Sequence, residues 1–141
     1  MDVRTRPEQR PAVQSGPHVV ITREPSATVR VRATASELLP RLLLARVGFQ
    51  FLTGARLQLP PGLGVVGEIH RIARAVRSLE AADFTVRHPL GLPVTGPQRV
   101  GVCAKCRADL YVDGITITDT WNTLYCVNTD KIYIPHVLQE V

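Results

Sequence analysis

At 141 residues, with 45% hydrophobic side chains and a mean hydropathy of +0.05, the chain has room for one ordinary domain or two very small ones, and the composition of a folded protein rather than a disordered one. No apolar run approaches the roughly 20 residues that cross a bilayer. Residues 1–10 are charged and lack the apolar core of a secretory signal, so a cytoplasmic protein that does not enter membranes is expected. The net charge of +5 comes from 17 basic residues, of which 15 are arginine, against 12 acidic ones. Arginine suits bidentate contact with phosphate or carboxylate, although a GC-rich coding sequence gives the same bias. Residues 28–88 hold nine arginines against four acids and residues 99–141 four bases against five, so the excess is local.

In chain order, residues 1–17 carry Pro7, Pro11 and Pro17 among charged and small residues without apolar periodicity, and read as a flexible N-terminal arm. His18 to Thr22 reads as a short strand. After a turn at Glu24-Pro25-Ser26, Thr28 to Ala33 alternates, with Val29 and Val31 toward a core and Arg30 and Arg32 away from it. Thr34-Ala35-Ser36-Glu37 has the form of a capping box for a helix running to about Arg46. Pro40 would interrupt that helix unless the cap is Ser36, which puts the proline in the first turn, or the helix kinks. Gly48 supplies the stop. Phe49 to Leu52 and Arg56 to Leu59 form a hairpin with Phe49, Phe51, Leu57 and Leu59 inward. Val65, Ile69, Ile72, Val76 and Leu79 recur at spacings of three and four, which predicts a helix from 65 to about 82, and Phe84 to His88 returns as a strand.

The order from 28 to 88 is strand, helix, strand, strand, helix, strand. It resembles the ferredoxin-like βαββαβ topology, which implies an α+β domain over 18–88 with two helices on one face of an antiparallel sheet. Residues 89–98, with three prolines at 89, 93 and 97, read as a linker to a small all-β unit over 99–141. In that unit Tyr111-Val112-Asp113-Gly114-Ile115-Thr116 signals a tight hairpin, and Leu124–Val127 with Ile132–Ile134 a second, closed by Pro135.

Cys103-Ala104-Lys105-Cys106 and Cys126 are the only cysteines in the chain. A Cys-x-x-Cys turn followed by hairpins and a cysteine on a later turn resembles a zinc ribbon over residues 99–136. That resemblance implies Cys103 and Cys106 as the first pair of zinc ligands and Cys126 as the third, because thiolates at this spacing close on a tetrahedral ion. The fourth cysteine's position holds Thr129; His136 or Asp130 could take its place, the fourth site could be open, or the ribbon could have kept its fold without metal. A redox Cys-x-x-Cys needs a helix opening at the motif, and none is predicted after Cys106. No nucleophile elbow or phosphate-cradling glycine loop appears, and Glu68-Ile69-His70 reverses the order a zinc deaminase requires, so a non-enzymatic protein is expected.

Alternation places Arg30, Arg32, Arg56 and Arg87 on the sheet face opposite the helices. The second helix adds Arg71, Arg74 and Arg77. Guanidinium groups gathered on one surface repel one another unless an anion answers them. The expected function is therefore nucleic-acid binding through the phosphate backbone with little sequence preference, since the stacking aromatics of RNA-recognition motifs are missing from the corresponding strands. The alternative is a protein-interaction or assembly component whose arginine face meets an acidic partner or a second copy of the chain.

Overall fold

A computed structural model describes residues 16–114, 116–126 and 134–140. The predicted arm, apart from Gly16 and Pro17, and the tip of the second C-terminal hairpin lie outside the described residues. The fold is mixed α+β, with two helices and two sheets. Neither helix is long and apolar enough to cross a membrane.

The first sheet contains β1 (Val19–Arg23), β2 (Val31–Ala35), β3 (Gln50–Thr53), β4 (Arg56–Gln58) and β5 (Val86–Arg87) in the order β3-β4-β2-β1-β5. The early strand at residues 18–22, expected outside the βαββαβ series, is thus part of the sheet. It lies antiparallel to β2 and parallel to β5, so four expected strands become five. Val19, Ile21, Val31, Ala33, Ala35 and Leu57 occupy the buried face, and α1 (Leu38–Val47) and α2 (Gly64–Ala81) pack there through Leu44, Val47, Ile72, Val76 and Leu79. Alanines at 33, 35, 73 and 75 keep that layer thin. Phe51, expected inward, is 55% exposed because β3 is the edge strand.

The predicted capping box does not form. Val20 pairs with Thr34 and Val19 with Ala35, so the ladder claims both residues and the helix opens only at Leu38, with no side-chain cap. Pro40 then stands third in the helix, where no intrahelical N–H bond is required of it. Arg41 ties the junction by donating from Nε to the Ala35 carbonyl at 2.8 Å. At the other end Gly48 adopts φ 118°, and a Cβ there would lie 2.0 Å from Arg71 Nη1. Arg71 passes through that gap to the Val47 carbonyl; the positive φ is what requires glycine, since the flexible end of an arginine can shift.

The second sheet has the order β8-β7-β6-β9, from β6 (Gln98–Cys103), β7 (Asp109–Asp113), β8 (Thr116–Thr118) and β9 (Leu138–Glu140). Gly101 lets β9 approach: a Cβ there would meet the Gln139 carbonyl at 2.3 Å. The core of this sheet, built from Val100, Cys103, Leu110, Val112 and Cys126, also takes Ile69 from α2, with Val65 and Val66 packed beside it. One helix therefore serves two cores. The connection between the sheets is itself anchored, with Val94 in the first core and its carbonyl accepting a bond from Arg77.

Glu68, only 2% exposed, is the polar residue where the two sheets and α2 meet. Arg23 Nε donates to its Oε1 at 3.0 Å and Arg30 Nε lies 3.1 Å from Oε2, while both arginines also pair with Glu140 on β9. Two cations and two anions balance, which is what makes their burial tolerable. Glu68→Gln should lower unfolding free energy by about 3 kcal/mol or more, because two arginines lose a buried counter-charge. An unchanged urea midpoint would show that Glu68 does not hold them. Burial opposes ionisation of Glu140, but its bonds from Arg30 and Arg23 prevail and hold its carboxyl below the ordinary 4.5. Its contribution to stability is therefore complete above that ordinary value and is lost as pH falls through the lower folded value. Below about pH 4.5 the stability of Glu140→Gln should fall less steeply with acid than that of the parent protein.

Candidate metal centre

Three separate segments converge to form the centre. The chain leaves β6 at Cys103 and turns back at once: Cys103 N–H donates to the Ala108 carbonyl at 2.8 Å, and Arg107 N–H to the Cys103 carbonyl at 3.0 Å. Arg107 accepts φ 67° to close this turn. Cys106 is thereby brought back over Cys103. Cys126 and His136 come from two short segments that face each other antiparallel, where Tyr125 bridges Pro135 and Cys126 N–H donates to the Ile134 carbonyl at 2.8 Å.

Cys103, Cys106 and Cys126 Sγ and one ring nitrogen of His136 all lie within 4.8 Å of one another, and no disulfide joins the cysteines. Sγ of Cys103 and Cys126 are 3.6 Å apart, and His136 Nδ1 is 3.6 Å from Cys106 Sγ and 3.7 Å from Cys126 Sγ. These four side chains can hold a metal ion. Of the alternatives for the fourth position, His136 is the residue brought to the cluster; Thr129 and Asp130 lie outside the described residues.

The surroundings favour negative sulfur at one position. Burial works against the Cys103 thiolate, but backbone N–H groups of Cys106, Val137 and Lys105 and the His136 ring outweigh it and bring its pKa down to about 5. The N–H groups of Lys105 and Val137 both point at this sulfur, at 3.4 Å. Burial, with the neighbouring Cys103 and Cys106 sulfurs, pushes Cys126 up to about 11. In a cluster without a cation the sulfurs thus oppose one another's ionisation, which is the repulsion a bound cation removes.

Asp119 was missed by the sequence reading. Its buried carboxylate takes N–H bonds from Trp121 at 2.9 Å and Thr123 at 3.0 Å and a hydroxyl bond from Thr123 at 2.5 Å, and it reaches His136 Nε2 at 3.2 Å. Burial resists its charge, yet these donors and His136 hold its pKa below the usual carboxylate range. A carboxylate on the far ring nitrogen fixes the imidazole so that Nδ1 faces the sulfurs. The available signal was local: Asp119-Thr120-Trp121-Asn122-Thr123 is an aspartate turn immediately before Cys126.

The arginines separate into three groups. Arg32, Arg56 and Arg87 are exposed on the open sheet face, where Arg32 pairs across from Gln58, Arg56 from Thr34 and Arg87 from Val20. Arg30, expected beside them, lies just before β2 and turns to Glu68 and Glu140. Arg71, Arg74 and Arg77 lie in the helix layer, with Arg71 and Arg77 donating to the Val47 and Val94 carbonyls.

Comparison with protein-family models, with curated proteins and with solved structures finds no match to this chain.

About one metal ion per chain is expected after native purification. Cys103→Ser should abolish it and destabilise residues 98–140, since metal binding to such units is coupled to folding. Asp119→Asn should keep the stoichiometry but weaken affinity by about 10- to 100-fold in a chelator competition. Equal affinity in Asp119→Asn would remove the carboxylate from the centre.

Proposed function

We propose that the protein is a non-enzymatic nucleic-acid-binding protein whose C-terminal unit is a zinc ribbon and whose arginine-bearing sheet face contacts phosphates. The observation that carries the binding reading is the open face itself. Its outward strand positions are Val20, Thr22, Arg32, Thr34, Gln50, Leu52, Arg56, Gln58 and Arg87: three cations and no carboxylate. Each of the three arginines is exposed, so a phosphate can approach without unfolding anything.

Zinc is the metal we assign. Zinc–sulfur bonds of about 2.3 Å and zinc–nitrogen bonds of about 2.0 Å in a tetrahedron imply edges of about 3.8 Å between sulfurs and about 3.5 Å between sulfur and nitrogen. Three of the six separations, at 3.6, 3.6 and 3.7 Å, agree with those edges, and all six lie within 4.8 Å. Three thiolates and one imidazole fill all four positions, which suits a structural ion rather than a catalytic one. The N-terminal unit is read as a ferredoxin-like βαββαβ domain elaborated by β1.

A second reading, an assembly component, is favoured by the exposed side chains of Leu38, Leu39 and Leu42 on α1 and Phe51 and Leu52 on the edge strand β3. Apolar side chains beside an unpaired edge invite another chain.

Salt dependence separates the two. Binding to single-stranded and duplex DNA and to RNA should weaken steeply with salt, and replacing Arg32, Arg56 and Arg87 with glutamine should reduce the log–log slope by about two to three units. The thermal unfolding midpoint should not change. A parent protein without salt-dependent binding to any of these would move the reading to assembly.

A further inference from the structure

A cluster of arginines lies on the other side of the molecule, in the helix layer. Arg46 from the last turn of α1 and Arg74, Arg77 and Ser78 from α2 line a cavity of about 280 Å³ whose floor is Val47. Among the described residues no carboxylate lines it. Among the described residues no ion pair reaches Arg46, Arg74 or Arg77. Backbone carbonyls account for two arginines of this layer: Arg71 answers Val47 at the end of α1, and Arg77 answers Val94 with one nitrogen. Among the described residues no side-chain hydrogen bond or ion pair reaches Arg46 or Arg74. The positive potential is felt nearby, since burial and then Arg74, Arg77 and Arg71 lower the pKa of His70.

We infer that this cavity binds a phosphate group, with Arg46, Arg74 and Arg77 as cationic donors and the Ser78 hydroxyl as a neutral one. Planar forks match phosphate oxygens two at a time. Three converging cations in a concavity suit the concentrated charge of a terminal phosphate better than the single charge of each diester along a strand. This site is independent of the sheet-face proposal, because the two lie on opposite sides of the sheet.

The test is titration of the isotope-labelled protein with inorganic phosphate, against chloride at equal ionic strength, following amide resonances. Saturable shifts at Val47, Arg74, Arg77 and Ser78 are expected, weakened about tenfold or more in Arg74→Gln and in Arg46→Gln. The protein lacking Arg32, Arg56 and Arg87 should respond as the parent does. Both single substitutions are at exposed positions, and an unchanged spectrum elsewhere confirms folding. Shifts that follow ionic strength alone, or affinity unaltered in both variants, would overturn the assignment. Competing oligonucleotides then identify the source. Displacement of phosphate only by a 5′-phosphorylated strand indicates a nucleic-acid end, equal displacement by a hydroxyl-ended strand indicates the backbone, and displacement by neither indicates a small phosphate compound; each retains the site.

Discussion

Convergence of three sulfur atoms and an imidazole nitrogen within 4.8 Å is the constraint on which the C-terminal half depends. That half has a small apolar core, and two of its buried members, Cys103 and Cys126, belong to this cluster. A bound cation turns mutually repelling thiolates into cross-links between the turn after β6 and the second hairpin. The N–H bonds to Cys103 and the Asp119 carboxylate behind His136 then have a single geometric purpose, to fix the direction of the donor atoms.

The same strand carries this order outward. His136 is followed by Val137, whose N–H bonds Cys103, then by β9, which pairs with β6 and ends at Glu140 against Arg23 and Arg30. Those arginines belong to the β1–β2 hairpin, and Arg32 on the open face is two residues beyond Arg30. Metal centre, buried charge network and arginine face are therefore links in one covalent and electrostatic chain. The two-sided apolar pattern of α2 completes it, with Ile72, Val76 and Leu79 toward one sheet and Val65, Val66 and Ile69 toward the other.

Much of this was legible from periodicity alone. The stripe on α2, the stop at Gly48, the inward Leu57 and Leu59 and the outward Arg32, Arg56 and Arg87 all follow from which residues alternate. The grouping of Cys103, Cys106 and Cys126 followed from Cys-x-x-Cys and a cysteine on a later turn, with His136 one of the alternatives for the fourth position. What escaped depended on contacts between distant segments. Arg30 has the same alternation as Arg32, and the positions of Glu68 and of Glu140, 110 residues away, take it off the open face. Glu68 looks like a surface partner for neighbouring helix arginines until the second sheet covers it. Thr34 and Glu37 make a sound capping signal, overridden because β1 pairs with the residues that the cap would use.

The most direct measurement is X-ray absorption at the edge of the metal that copurifies with the protein. Binding through Cys103, Cys106, Cys126 and His136 predicts zinc with three sulfur neighbours at about 2.3 Å and one nitrogen at about 2.0 Å. A first shell made only of oxygen and nitrogen, or a protein that folds fully and binds no metal, would contradict it.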